Sequence, residues 1–294
     1  MKIAFFSPSS PCIETDIEAS LAMMVRELSK ICPGVKIVAE RSGSLSAGNA
    51  NPLFPYLSGL DDEKTAIFEH LMQDPDCDFV LCTRGGYGAM RWVHLVDWRS
   101  VAAASCKLVG FSDVTVLFSA IINAGGTCVH GPMLNTLPVT AERSRQALWQ
   151  ALCSGEFPEF TGVPVKEGQF KGVLTGGNLA CLCHLIGTPF EPDWKNKILF
   201  IEDCNEPAYK IDRMLTQMRL AGVFDVIGGM VLGRFTHCNQ TGPGGLRELF
   251  EDRVSGFNFP VIADLPAGHG SENMPLMLGS IYNMSGSSGL LSPA

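Results

Sequence analysis

The sequence predicts an α/β protein: a parallel sheet with helices on both faces, followed by a smaller α/β unit whose tail is rich in strand and turn. Three observations predict it. Short apolar runs alternate with stretches of helical periodicity through the first half. A glycine-rich turn and a serine-bearing turn each follow such a run, at the carboxyl ends of strands where open α/β sheets place ligands. The chain of 294 residues is also longer than one typical hydrophobic core supports, which favours two domains. With 46% apolar and 18% charged residues, the composition is that of a globular enzyme and far from that of a disordered chain.

In chain order, Lys2–Ser7 reads as the first strand and runs into a Pro/Ser turn. Thr15-Asp16-Ile17-Glu18 has the form of a capping box, and Ile17, Leu21, Val25 and Leu28 recur at helical spacing up to the Pro33-Gly34 stop. Val35–Ala39 is a second strand. Asp61–Gln73 is a helix with acids in its first turn and Ile67, Leu71 and Met72 for the core. The strand Asp78–Thr83 leads straight into Arg84-Gly85-Gly86-Tyr87-Gly88, and the strand Lys107–Phe111 feeds Ser112 and an apolar helix from Asp113 to about Asn123. The stretch Ser154–Gly172 has little helical pattern and carries Gly155, Pro158, Gly162, Pro164 and Gly168, so the domain junction falls there. Residues 1–155 then form the first domain, 156–172 a linker and 173–294 the second domain. The second begins with a helix near Gly177–Ile186, then a strand at Ile198–Glu202, a helix at Ala208–Ala221 and strands at Ile227–Gly233 and Val261–Asp264.

The net charge of -8 and the lack of a dense Lys/Arg run argue against a nucleic-acid partner. The apolar run at Met1–Phe6 is too short for a signal peptide and no stretch approaches a membrane span, so a cytoplasmic protein without a membrane partner is expected. Eleven cysteines, an odd number lying largely in apolar segments such as those of Cys82, Cys128, Cys181 and Cys183, fit buried thiols in a reducing compartment. Cys181-Leu182-Cys183-His184 would splay metal ligands around a helix axis, and no metal site is expected.

Four segments carry candidate chemistry. Ser112 sits on a tight turn between a buried strand and a buried helix, where a nucleophile is lifted into a cleft and the N–H of Asp113 can donate to an oxyanion. On this motif alone the plain helix cap, the usual role of a serine before a helix, is the favoured reading, and Val114 stands where the elbow pattern G-x-S-x-G has its second glycine. The turn Arg84–Ala89 can bring the N–H of Gly86 to the same oxyanion or hold a phosphate, although it lacks the full dinucleotide fingerprint and the phosphate-loop lysine. Glu202 ends a strand, where a carboxylate can fix an imidazole's tautomer, whereas Asp203 and Glu206 fit a solvated acidic turn. His269 lies between Gly268 and Gly270, without the apolar neighbours of a core histidine. The order Ser, Glu, His matches that of α/β-hydrolases, and triads recur on unrelated folds.

These segments resemble the LD-carboxypeptidase (muramoyltetrapeptide carboxypeptidase) family of serine peptidases. RGGYGA at Arg84–Ala89, GFSDVT at Gly110–Thr115, Gly131-Pro132-Met133, GGNL at Gly176–Leu179, IEDCNE at Ile201–Glu206, YKIDRML at Tyr209–Leu215 and Gly268-His269 follow the family's order. The resemblance implies Ser112 as nucleophile, His269 as general base and Glu202 rather than Asp203 as the acid. It implies a flavodoxin- or amidotransferase-like first domain, a β-rich second domain, a site between them, a homodimer and no cofactor. It further implies removal of the terminal D-alanine from a murein tetrapeptide during cytoplasmic peptidoglycan recycling. For the substrate carboxylate Arg84 is one candidate, with a structural ion pair as the other reading, and Asn178 is either a substrate contact or a helix cap. The family includes microcin C immunity peptidases, which cleave aminoacyl-nucleotide analogues; Trp194 and Phe190 are candidate stacking aromatics for that alternative, with core packing as their other role. A non-catalytic muropeptide-binding protein on the same scaffold is the third reading.

Overall fold

The structure is a computed structural model that describes residues 1–12, 14–37, 50–238 and 245–294. The capping-box reading at Thr15 falls on side chains outside the described set, and so does the end of the expected strand Val35–Ala39. Five strands, β1 (Lys2–Phe6), β2 (Lys36–Ile37), β3 (Phe79–Cys82), β4 (Lys107–Gly110) and β5 (Cys128–His130), pair in parallel in the order β5-β4-β3-β1-β2. They read as continuous apolar runs because both faces are covered. Ala4, Phe6, Val80 and Cys82 enter one core, with Phe68, Trp92 and Leu117 from the helices α2 (Asp61–Gln73), α3 (Ala89–Trp92) and α5 (Thr115–Asn123). The alternate residues Ile3, Phe5 and Leu81 enter another, with Met24 and Leu28 of α1 (Glu14–Ile31) and Leu148 and Trp149 of α6 (Glu142–Ser154). The short α4 (Trp98–Ala103) leads into β4, its first turn capped by Asp97.

The second sheet has eight strands. At its centre β8 (Gln169–Asn178), β9 (Lys197–Cys204), β10 (Gly229–Thr236) and β11 (Val261–Ala263) run in parallel. The antiparallel edges are β6 (Phe160–Thr161), β7 (Val163–Lys166), β13 (Ile281–Ser285) and β14 (Leu290–Pro293). Leu199, Ile201, Met230 and Leu232 face the helices α7 (Leu179–Leu185), α8 (Ala208–Leu220), α9 (Val223–Val226) and α10 (Gly245–Val254). On the opposite face Ile198, Phe200 and Val231 join the core that contains α5, so the two units share packed apolar surface. The remaining strand, β12 (Leu276–Leu278), comes from the second half of the chain yet pairs antiparallel with β5, Leu276 opposite His130.

The helix expected from Gly177 begins two residues later. Gly177 and Asn178 still pair with Ile201 and Glu202, and Asn178 then caps α7 by accepting from the Cys181 N–H at 3.1 Å. All eleven cysteines are free thiols. No helix of the described residues is long and apolar enough to cross a membrane.

Candidate active site

The carboxyl ends of β4, β9 and β10 meet at one cleft, through Phe111, Cys204 and Thr236. At the end of β4, Phe111 is extended and Ser112 takes a φ of 64°, a left-handed conformation that costs a non-glycine residue energy and recurs where a serine is lifted out of a strand-to-helix turn. The reading of Ser112 as a helix cap is not realised: the turn starts at Ser112 itself, and no side chain caps it. The glycine loop after β3 abuts this serine. A Cβ on Gly85 would stand 2.9 Å from Ser112 Cβ and 3.1 Å from its Oγ, so only glycine fits there.

Asp113 holds the two turns together. Its buried carboxylate accepts from Ser9 Oγ at 2.5 Å and from the Ala89 N–H at 2.8 Å, tying the elbow to the turn after β1 and to the far end of the glycine loop. Burial lifts its pKa despite these donors.

Glu202, wholly buried at the end of β9, meets His269 in the turn after β11. Its Oε2 accepts from His269 Nδ1 at 2.7 Å and from the His269 backbone N–H at 3.0 Å. An ionised carboxylate only accepts, so Nδ1 carries a proton, and once the ring is neutral Nε2 holds the lone pair. Gly268 makes the approach possible: its φ is 114°, and a Cβ there would sit 2.6 Å from Glu202 Oε2. Burial works against both charges, raising the acid and lowering the base. The mutual attraction overrides it, so Glu202 lies below its ordinary range and His269, also bonded to Cys204, is raised to about 10. The His269 ring packs edge-on to Phe111, 4.8 Å between centroids, which places it beside the residue preceding Ser112. Ser112 Oγ and His269 are not hydrogen-bonded to each other here, a common state before substrate draws such a pair together. Phe111, Thr136, Thr140, Cys204, Thr236 and His269 are among the residues lining a cleft of about 430 Å³.

The other sequence candidates divide. Gly86 lies exposed beside Ser10 with a φ of 108°. Arg84 is exposed and donates to the Pro11 carbonyl at 3.0 Å, so its structural partner is a backbone oxygen rather than the acid an ion pair would need. Asn178 is buried: besides capping α7 it donates to Asp203 at 2.9 Å. Asp203 is not the solvated acid expected, since it is buried, accepts from Asn178, Ala180 and Cys204, and is pushed by burial up to about 6. Trp194 is buried with its indole N–H on Glu191, and the partly buried Phe190 packs against the core. Residues the sequence reading missed include Ser9, which clamps Asp113, and Cys204 and Thr236 in the cleft wall. Their signal was slight: a serine in a Pro/Ser turn, and positions two and three residues past expected strand ends.

Comparison with known proteins agrees along the whole chain. Residues 3–131 match the LD-carboxypeptidase N-terminal domain and residues 171–284 the LD-carboxypeptidase C-terminal domain. A putative carboxypeptidase of Synechocystis sp. is 38% identical over 276 residues, 91% of this chain and 90% of that protein. The murein tetrapeptide carboxypeptidase of Pseudomonas aeruginosa is 32% identical over 237 residues, 75% of this chain and 76% of that protein. More distantly, the microcin C7 self-immunity protein MccF of Escherichia coli is 23% identical over 94% of this chain and 88% of its own length. The crystal structure of muramoyltetrapeptide carboxypeptidase from Oxalobacter formigenes superposes with a TM-score of 0.85 at 24% identity, covering 99% of this chain and 97% of that one, and so shares the fold. Matched in order along both of its units, the chain belongs to the LD-carboxypeptidase family.

Proposed function

We propose that this protein is a serine LD-carboxypeptidase that removes the terminal D-alanine from a murein tetrapeptide. The observation that carries the reading is the buried Glu202–His269 pair facing a strained serine elbow across Phe111. In this mechanism His269 Nε2 takes the Ser112 proton as Oγ attacks the carbonyl of the penultimate residue, an L-configured centre of diaminopimelate or lysine. The N–H groups of Asp113 and Gly86 receive the oxyanion, and Glu202 stabilises the imidazolium that forms. The C–N bond then breaks, His269 protonates the departing amine of D-alanine, and water hydrolyses the acyl-enzyme by the reverse proton path. A role in cytoplasmic peptidoglycan recycling, and a homodimeric assembly, accompany this reading as the family resemblance implies them.

The test is incubation of the purified protein with a murein tetrapeptide and, separately, with an aminoacyl-sulfamoyl adenosine, products being followed by mass spectrometry beside a Ser112→Ala control. Loss of D-alanine that requires Ser112 is the expected result. Cleavage of the nucleotide analogue alone would move the protein to the immunity peptidases, and neither cleavage would leave a muropeptide-binding protein.

A further inference from the structure

β5 ends in a histidine that the mechanism above leaves unused. His130 is wholly buried, its ring 5.0 Å from that of Phe200 and 5.9 Å from that of Phe111 between centroids. Among the described residues neither of its ring nitrogens has a hydrogen-bond partner, and the same holds for Oε1 of Glu202. Folded interiors pair nearly all such atoms, so three unpaired ones at one place call for a common explanation.

The three atoms belong together. Phe200 and Glu202 lie two residues apart on β9 and therefore face the same side of the strand, the side against which His130 packs. The titratable groups facing His130 are Glu202 from β9 and His269 from the turn after β11, and each bears electrostatically on it. Burial pulls its pKa down to about 4, so the ring is neutral and offers one N–H and one lone pair. A carboxylate oxygen can use only the N–H.

We propose that His130 is a positioning residue of this site: a turn of its ring about the broad terminal torsion brings one N–H onto Oε1 of Glu202, a bond the resting structure does not make, and so holds Oε2 on the His269 ring. A carboxylate gripped at one oxygen turns easily about its terminal torsion, which has broad wells. Gripped at both, it presents a fixed lone pair to Nδ1. The proposal rests on the triad reading above but makes a claim of its own, since the family motifs that supplied Ser112, Glu202 and His269 place no role on His130.

The experiment uses the full chain with 15N-labelled histidine, as wild type, His130→Leu and His130→Gln. In the wild type, NMR should show a His130 ring N–H that exchanges slowly and a ring that stays neutral well below the usual histidine range. In His130→Leu, kcat for D-alanine release should fall about 10- to 100-fold, the value of one hydrogen bond to a charged group, with KM within about twofold. The His269 titration should also move down by about one unit or more as its acid loses orientation. The glutamine variant, which keeps an N–H donor, should recover most of both. A rapidly exchanging His130 N–H in the wild type, or a folded leucine variant with an unchanged His269 titration, overturns the proposal. If the wild type releases no D-alanine, the functional reading fails while the two NMR readouts still decide this one. The wild-type measurement also stands if the leucine variant does not fold.

Discussion

Glutamine at position 202 preserves the shape of the side chain and removes its charge. The Nδ1–H of His269 would then face an amide oxygen instead of the carboxylate that now accepts at 2.7 Å in a wholly buried setting. The imidazolium is what this carboxylate stabilises. Its attraction outweighs burial and, with Cys204, raises His269 from an ordinary 6.5 to about 10. A charge-assisted hydrogen bond supplies ~1.5–3 kcal/mol. In the proposed mechanism the imidazolium forms as Ser112 loses its proton, so the deficit would appear in the transition state, and kcat should fall by about 10- to 150-fold. The comparison belongs on the alkaline plateau of each pH profile, where His269 is unprotonated in both proteins. D-alanine release coupled to a D-amino-acid oxidase, followed across the pH range, provides it. The acid limb of kcat/KM should move down toward the ordinary histidine value in Glu202→Gln. A variant within about threefold of wild type on the plateau, with its acid limb unmoved, would refute the assignment of Glu202.

Four further outcomes follow from the same geometry. Gly85→Ala should push a methyl group against Ser112 Cβ, 2.9 Å away, and lower kcat about 10- to 100-fold while the melting temperature, read by calorimetry, hardly changes. Gly268→Ala meets both a φ of 114° and the Glu202 carboxylate, so urea titration should show a loss of about 1–3 kcal/mol together with lost activity. Asp113→Ala leaves the Ser9 hydroxyl and the Ala89 N–H buried without their acceptor, and the same titration should show a cost of about 1–3 kcal/mol. The pH dependence of stability has two arms: the raised His269 contributes fully below about 6.5 and loses its contribution as pH climbs through about 10, while the depressed Glu202 contributes above its ordinary range and loses it as pH falls through its folded value. Urea titrations at stepped pH should show both arms in the wild type and neither in Glu202→Gln.

Much of this was readable from residues alone, for reasons that can be named. The strands of the first sheet are apolar on both faces, and turn chemistry ends them sharply, so Ser112 and the glycine loop could be placed at strand ends without coordinates. Glu202 and His269 were legible as types in suitable turns, but their meeting depends on β9 and β11 flanking β10, which no local pattern encodes. The left-handed backbone at Ser112 was invisible because serine has no preference for it. His130 was hidden for the opposite reason: a histidine inside an apolar strand looks like packing. Asn178 had two readings, and the structure shows the cap made. The crossing of β12 into the first sheet could not be foreseen, since three residues after a turn carry almost no register information.

That crossing strand changes how the molecule can be made. A ribosome releasing this chain finishes the first five strands of the sheet long before Leu276 emerges, and until then the backbone edge of β5, from Cys128 to His130, has no neighbour. An open apolar edge is the kind of template on which nascent chains stick to one another. A fragment cut at the junction would therefore lack the strand that covers this edge.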